Sequence, residues 1–82
     1  MNRGEIETSV RDVLAQVMDV DPRDIGPEFG QASCDNWGSL THLMLITELE
    51  SRFSVAFSSQ EVPQLSSYSR IVEALASRAK NR

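Results

Sequence analysis

Apolar residues fall at Ile6, Val10, Val13, Leu14 and Val17, spaced four, three, one and three apart. That spacing returns to one side of a helix, while Glu7, Arg11 and Asp12 fall off the stripe. It predicts an amphipathic helix from about Gly4 to Met18. Asp19, Asp21-Pro22, Gly26-Pro27 and Gly30 then interrupt helical continuation and open a long connection from about Asp19 to Gly38. Its apolar residues Val20, Ile25, Phe29 and Trp37 are expected to pin it to the body, since a wholly loose loop of that length is unusual.

Helical periodicity resumes at Ser39 and lasts to about Phe53. Stepping about 100° per residue puts Leu45, Ile46, Leu49 and Phe53 on one side. Leu40, Leu43 and Met44 cover much of the opposite side, and only a narrow strip holding Thr41, Glu48 and Arg52 is clearly polar. A helix this apolar either is central or offers part of its surface to partners. Val55 and Phe57 alternate with Ser54 and Ala56, too short a run to make a sheet. Ser58 or Ser59 can cap a short helical turn through Gln60, Glu61 and Val62, with Pro63 and Leu65 after it. Ser66 or Ser67 then caps a last helix bearing Tyr68, Ile71, Val72 and Leu75. Its basic end, Arg78, Lys80 and Arg82, suits the negative pole of a helix dipole. The expectation is one all-α domain over residues 1–82: three main helices, one short helix and a long first loop.

Charge narrows the function. Twelve acids against eight bases give a formal charge of −4, and eleven of those acids lie in residues 1–64 beside four bases. Such a chain repels phosphate backbones, and its five aromatic residues are too few for base-stacking platforms, so nucleic acid is not an expected partner. The single Cys34 excludes an internal disulfide. No apolar run approaches the ~18 residues needed to cross a bilayer, and Met1-Asn2-Arg3-Gly4-Glu5 lacks an apolar signal core. A cytoplasmic location without membrane attachment is expected, with a monomer as the default.

The informative stretch is Asp35-Asn36-Trp37-Gly38-Ser39-Leu40, running directly into Thr41-His42-Leu43-Met44-Leu45-Ile46-Thr47-Glu48-Leu49-Glu50. Here the chain resembles the acyl carrier family, whose members have Asp-Ser-Leu at the start of a central helix, often after Trp, and a Leu-Glu-x-x-Phe ending. Trp37, Ser39, Leu40 and Leu49-Glu50-Ser51-Arg52-Phe53 match that pattern. The Val20-Asp21-Pro22 loop and the closing Leu65-Ser66-Ser67-Tyr68-Ser69-Arg70-Ile71-Val72 segment extend the likeness over nearly the whole chain. The resemblance implies an acyl-carrier-like four-helix bundle with an interior open to acyl chains. It also implies a covalent 4′-phosphopantetheine on Ser39, a phosphopantetheinyl transferase to attach it, and acyl-loading and acyl-transferring enzymes as partners. Physical logic agrees: free backbone N–H groups at a helix start favour an anionic phosphodiester there. Cys34 is too short a side chain to replace a swinging thiol arm.

Two departures matter. Gly38 stands where the family usually has Asp, an acid that the transferase reads. On the partner-reading helix Glu48 and Glu50 remain, but Met44, Ser51 and Arg52 fill positions that are often acidic. The resemblance implies partner contacts at Leu40, Met44, Glu48 and Glu50, with more reliance on apolar contact. Whether Leu43 and Met44 are core or surface stays open at this level. A specialised pathway is expected rather than housekeeping fatty-acid synthesis, the cargo being unreadable from the chain.

Other chemistries find little support. His42 lies three residues after Ser39, but no Gly-x-Ser-x-Gly elbow surrounds the serine and no acid is placed to orient the imidazole, so no enzyme activity is expected. One His and one Cys do not make a closed metal site, and the Asp19–Glu28 acids lack calcium-loop spacing. The rival from a different class is an unmodified helical interaction domain.

Overall fold

Asn2 starts the first helix: its side-chain oxygen accepts the Glu5 N–H at 2.8 Å, satisfying one of the unpaired donors of the opening turn. α1 (Arg3–Met18) ends where Asp19 turns left-handed, φ 58°, and its N–H closes on the Ala15 carbonyl. α2 (Ser39–Phe53) ends the same way, with Ser54 at φ 54° bonded back to Glu50. α3 (Tyr68–Lys80) begins at Ser67, whose hydroxyl accepts the Arg70 N–H at 3.2 Å. This computed structural model describes residues 2–80. The expected all-α bundle is the fold found, with short 3-10 turns and no strand among the described residues; Gly30 and Ser67 form one isolated bridge.

The central element is α1, which packs against both other helices. Val10, Val13, Leu14 and Met18 have no exposed surface, and they meet Leu45 and Leu49 of α2 and Ile71 of α3, equally closed off. Each such side chain contributes roughly 1.5–3 kcal/mol of burial. Met18 completes the α1 face where Val17 was expected; Val17 is only half-buried. Ile25 and Trp37 pin the connection as foreseen, both 3% exposed, with Val20 and Phe29 packed against the same cluster. Cys34 is buried in it as a free thiol.

Polar bonds hold the rest of the connection. Asp21 caps a 3-10 turn at Pro22–Asp24 by accepting the Arg23 N–H. Arg11 of α1 donates to the Ile25 carbonyl and to the Tyr68 hydroxyl, both at 3.2 Å, so one guanidinium joins all three parts. Further on, Gln31 N–H donates to Ser66, Tyr68 N–H to Phe29 and the Ser69 hydroxyl to Pro27, at 2.9, 2.9 and 2.7 Å. Gly30 makes this seam possible. A Cβ there would stand 3.0 Å from the Ser66 carbonyl oxygen and 3.2 Å from the Ser67 Cβ.

The expected short helix is a single 3-10 turn, Val62–Gln64, set slightly later in the chain. Ser58 and Glu61 cap each other reciprocally ahead of it, Ser58 N–H to Glu61 Oε1 at 2.9 Å and Glu61 N–H to Ser58 Oγ at 3.2 Å. Pro63, having no N–H, suits the start of a turn and not its continuation. Arg78 leaves the helix end to bind Glu61 through both carboxylate oxygens at 2.8 and 2.7 Å, and it lies over the Phe57 ring at 4.7 Å. Arg82, expected to join it at the dipole, lies outside the described residues.

The Ser58 backbone N–H and the Arg78 guanidinium hold the Glu61 carboxyl below its ordinary value of 4.5. A lowered folded-state pKa adds stability that is present above the unfolded value and disappears as pH falls through the folded one. Glu61→Gln should therefore lower the urea midpoint at about pH 7, with the difference from the parent closing below about pH 4. An equal difference at both pH values would show that the carboxylate charge plays no part.

Candidate functional site

Helix α2 begins without a side-chain cap. Gly38 is the N-cap, in extended conformation at φ −106°, and its carbonyl takes the first intrahelical bond from His42 N–H at 2.9 Å. Its own N–H is accepted by Thr41 Oγ1 at 2.8 Å, while the Thr41 hydroxyl donates to the Asn36 carbonyl at 2.6 Å. Asn36 in turn donates its side-chain N–H to the Met18 carbonyl at 2.8 Å, tying this corner to the end of α1. Ser39 therefore sits at the first helical position, exposed, and its hydroxyl has no hydrogen-bond partner among the described residues. Capping is done by others here, unlike at Ser58 and Ser67. A Cβ at Gly38 would meet nothing within 4 Å, so no steric demand imposes glycine.

His42 has a role that its sequence position did not reveal. The Trp37 indole N–H donates to its Nδ1 at 2.9 Å, and Nε2 lies 2.7 Å from the Val62 carbonyl. Indole is only a donor, so Nδ1 must be the acceptor and Nε2 carries the proton donated to Val62. Both ring nitrogens are thus occupied, and the ring stacks near Trp37 with centroids 6.1 Å apart. The imidazole is a clasp between the connection, α2 and the late 3-10 turn. With both ring nitrogens engaged, neither is free to serve as a base for Ser39.

The outward side of α2 is now defined. Leu40, Leu43 and Met44 are 72%, 60% and 50% exposed, while Leu45, Ile46 and Leu49 are buried. Leu43 and Met44 are surface, which resolves the ambiguity of an almost wholly apolar helix. The two acids both have partners within the fold. Glu50 is half-buried, and its Oε2 accepts the Phe57 N–H at 2.8 Å, so part of its carboxylate is engaged within the fold. Glu48 lies 3.9 Å from Arg52, which also reaches Asp12 at 3.3 Å.

The interior expected to admit acyl chains is closed in this conformation at its centre, where Val10, Val13, Leu14, Leu45, Leu49 and Ile71 have no exposed surface. An open groove instead runs along the connection, lined by Val20, Asp24, Glu28, Phe29, Cys34 and Asp35 among others. No group of three or more His, Cys, Asp or Glu among the described residues is arranged to hold a metal ion. None of the described helices is long and apolar enough to cross a membrane.

No model of a known protein family matches the chain. Among curated proteins, it is 32% identical over 73 residues to the acyl carrier protein of Thermosynechococcus vestitus (strain NIES-2133 / IAM M-273 / BP-1), a match covering 89% of this chain and 90% of that one.

The clasp predicts that His42→Ala lowers stability by about 1–3 kcal/mol, because the Trp37 N–H and part of the Val62 carbonyl's bonding are left unmatched in a half-buried site. Trp37 is the only tryptophan, so its emission should shift in the variant. An unchanged melting curve together with unchanged emission would show that the bond does not form in solution.

Proposed function

The chain belongs to the acyl carrier protein family, and on that premise we propose that Ser39 is the attachment point of a 4′-phosphopantetheine arm carrying intermediates between partner enzymes. One observation carries the reading: the Ser39 hydroxyl is exposed at the first position of α2 and does no structural work there. Its neighbours fit the group. Gly38 adds no side chain in front of the hydroxyl, and open space surrounds the place where a Cβ would stand. The unsatisfied N–H groups of the opening turn supply a positive pole beside the oxygen that would be esterified. Thr41 and Asn36 fix that turn to α1, so the hydroxyl is held in place while staying accessible.

When attached, 4′-phosphopantetheine supplies a terminal thiol on which cargo is held as an activated thioester. The chain's own residues supply position: α2 presents Ser39, and the Trp37–His42–Val62 clasp keeps the start of α2 against the body. The chemistry of loading and transfer then belongs to partner enzymes, and the unmodified chain turns nothing over. The cargo is an acyl, polyketide or aminoacyl unit of a specialised biosynthetic pathway, a reading supported by the missing acids of α2 and not by any feature of a binding pocket.

Co-expression with a broad-specificity phosphopantetheinyl transferase should raise the intact mass by one arm, and Ser39→Ala should abolish the gain while leaving helical content unchanged. A bare parent chain beside a transferase active on another carrier would leave an unmodified interaction domain as the better reading. Gly38→Asp should restore a side-chain cap, adding a few tenths of a kcal/mol in stability, and should increase the rate of modification. A slower rate would show that the acid has no part in recognition of this chain.

A further inference from the structure

Histidine is the side chain whose ordinary charge change falls between about pH 5 and 8, and this chain holds its single histidine in a bond that only the neutral ring can make. The Trp37 indole donates to His42 Nδ1 at 2.9 Å, and Nε2 lies 2.7 Å from the Val62 carbonyl. An imidazolium has two donors and no acceptor, so a proton taken from water onto the Nδ1 lone pair sets N–H against N–H. The carbonyl contact survives that change, because Nε2 donates to Val62 in both states. Protonation therefore acts on one side of the clasp: His42 stays with the 3-10 turn, and Trp37 is let go. Trp37 is 3% exposed, and its indole N–H has no second acceptor among the described residues. No neighbouring charge offsets the loss. Among the described residues, no carboxylate forms an ion pair with the ring. On α2, Glu48 faces Arg52 and Glu50 accepts the Phe57 N–H. Beside Val62, Glu61 is bonded to Ser58 and to Arg78 of α3, while Glu73 of α3 pairs with Arg3. Asp35 of the connection, Asp19 at the end of α1 and Arg70 of α3 are exposed.

We propose that the Trp37–His42 bond is an acid-labile latch on the corner that carries Ser39, closed while the imidazole is neutral and opened by a proton on Nδ1. Opening frees the Trp37 side chain and loosens the start of α2, since Ser39 lies between the two partners. The unfolded chain takes the same proton without breaking a bond. The latch's contribution to stability is therefore whole at about pH 8 and falls away as pH drops through the imidazole range. The apolar layer between α1, α2 and α3 contains no buried charged group among the described residues, so it stays closed when the latch opens. The latch operates whether or not Ser39 bears an arm, and it stands or falls apart from the carrier function.

One tryptophan and one histidine let the full chain report both partners without ambiguity. The Trp37 indole N–H and His42 ring nitrogen resonances, followed by NMR from about pH 8 to about pH 5.5, should move together. Trp37 emission should shift over the same range, with helical content by circular dichroism unchanged. Hydrogen exchange at the indole, taken relative to free tryptophan at each pH, should be about tenfold faster at the acid end. His42→Gln keeps an acceptor and a donor without a titrating proton. It should hold emission and urea midpoint constant over the range in which the parent's midpoint falls. The proposal is overturned by an indole resonance and emission that stay fixed while the imidazole titrates, or by an imidazole that stays neutral throughout. Loss of helix in step with the emission overturns it too, since the event is then acid unfolding of the whole bundle. A folded His42→Gln variant with the parent's pH dependence has the same force. If that variant does not fold, the two resonances of the parent decide by themselves.

Discussion

A single hydrogen bond from the Trp37 indole to His42 solves the main mechanical problem of this bundle. A long connection with little regular structure delivers the chain to the start of α2, and that start is both fixed and open. Fixing it with a serine cap would consume the hydroxyl. The chain anchors the corner from behind instead, with Trp37 buried in the core, His42 reaching across to Val62, and Asn36 holding the last carbonyl of α1. Thr41 then performs the capping from inside the helix. Ser39 is left with position and no duty.

The same economy of groups runs along α2. Its inner side supplies Leu45, Ile46 and Leu49 to the core, and its acids serve local needs: Glu50 orders the turn into Phe57, and Glu48 answers Arg52. What remains outward in its first half is mostly apolar: Leu40, Leu43 and Met44. Surface ion pairs of the Glu48–Arg52 kind contribute at most about 1 kcal/mol, so their effect here lies more in cancelling charge than in stability. Packing thus takes one face of α2 and leaves the other exposed, and α1 carries most of the structural burden.

Much of this was legible in the sequence because it depends on local rules. The 3.6-residue stripe of α1, the break at Asp19 and Asp21-Pro22, and the extent of α2 follow from periodicity and backbone chemistry. The position of Ser39 at a helix start was equally readable. What escaped were contacts between residues far apart in the chain. His42 acquires its role from Val62, and Glu50 from Phe57, and no spacing rule links either pair. Leu43 and Met44 were ambiguous because a helix apolar on both sides does not say which side its neighbours cover. The short helix became a 3-10 turn because Ser58 and Glu61 order the segment first and Pro63 offers no N–H to extend it. Val17 and Met18 exchanged places within the same stripe, a difference of one step around α1 that only the neighbouring helices decide.

The burial of Cys34 has a consequence for the function proposed for Ser39, in which a load would be held as a thioester. Any accessible thiol on the same chain would be an intramolecular acceptor, taking the load by transthioesterification and stranding it where no enzyme could collect it. Five residues before Ser39, Cys34 is 7% exposed and packed in the hydrophobic cluster at the edge of the groove along the connection, so little of its thiol is open to attack. Under that proposal, the core that gives this small bundle its stability would also keep the chain's one thiol away from the load.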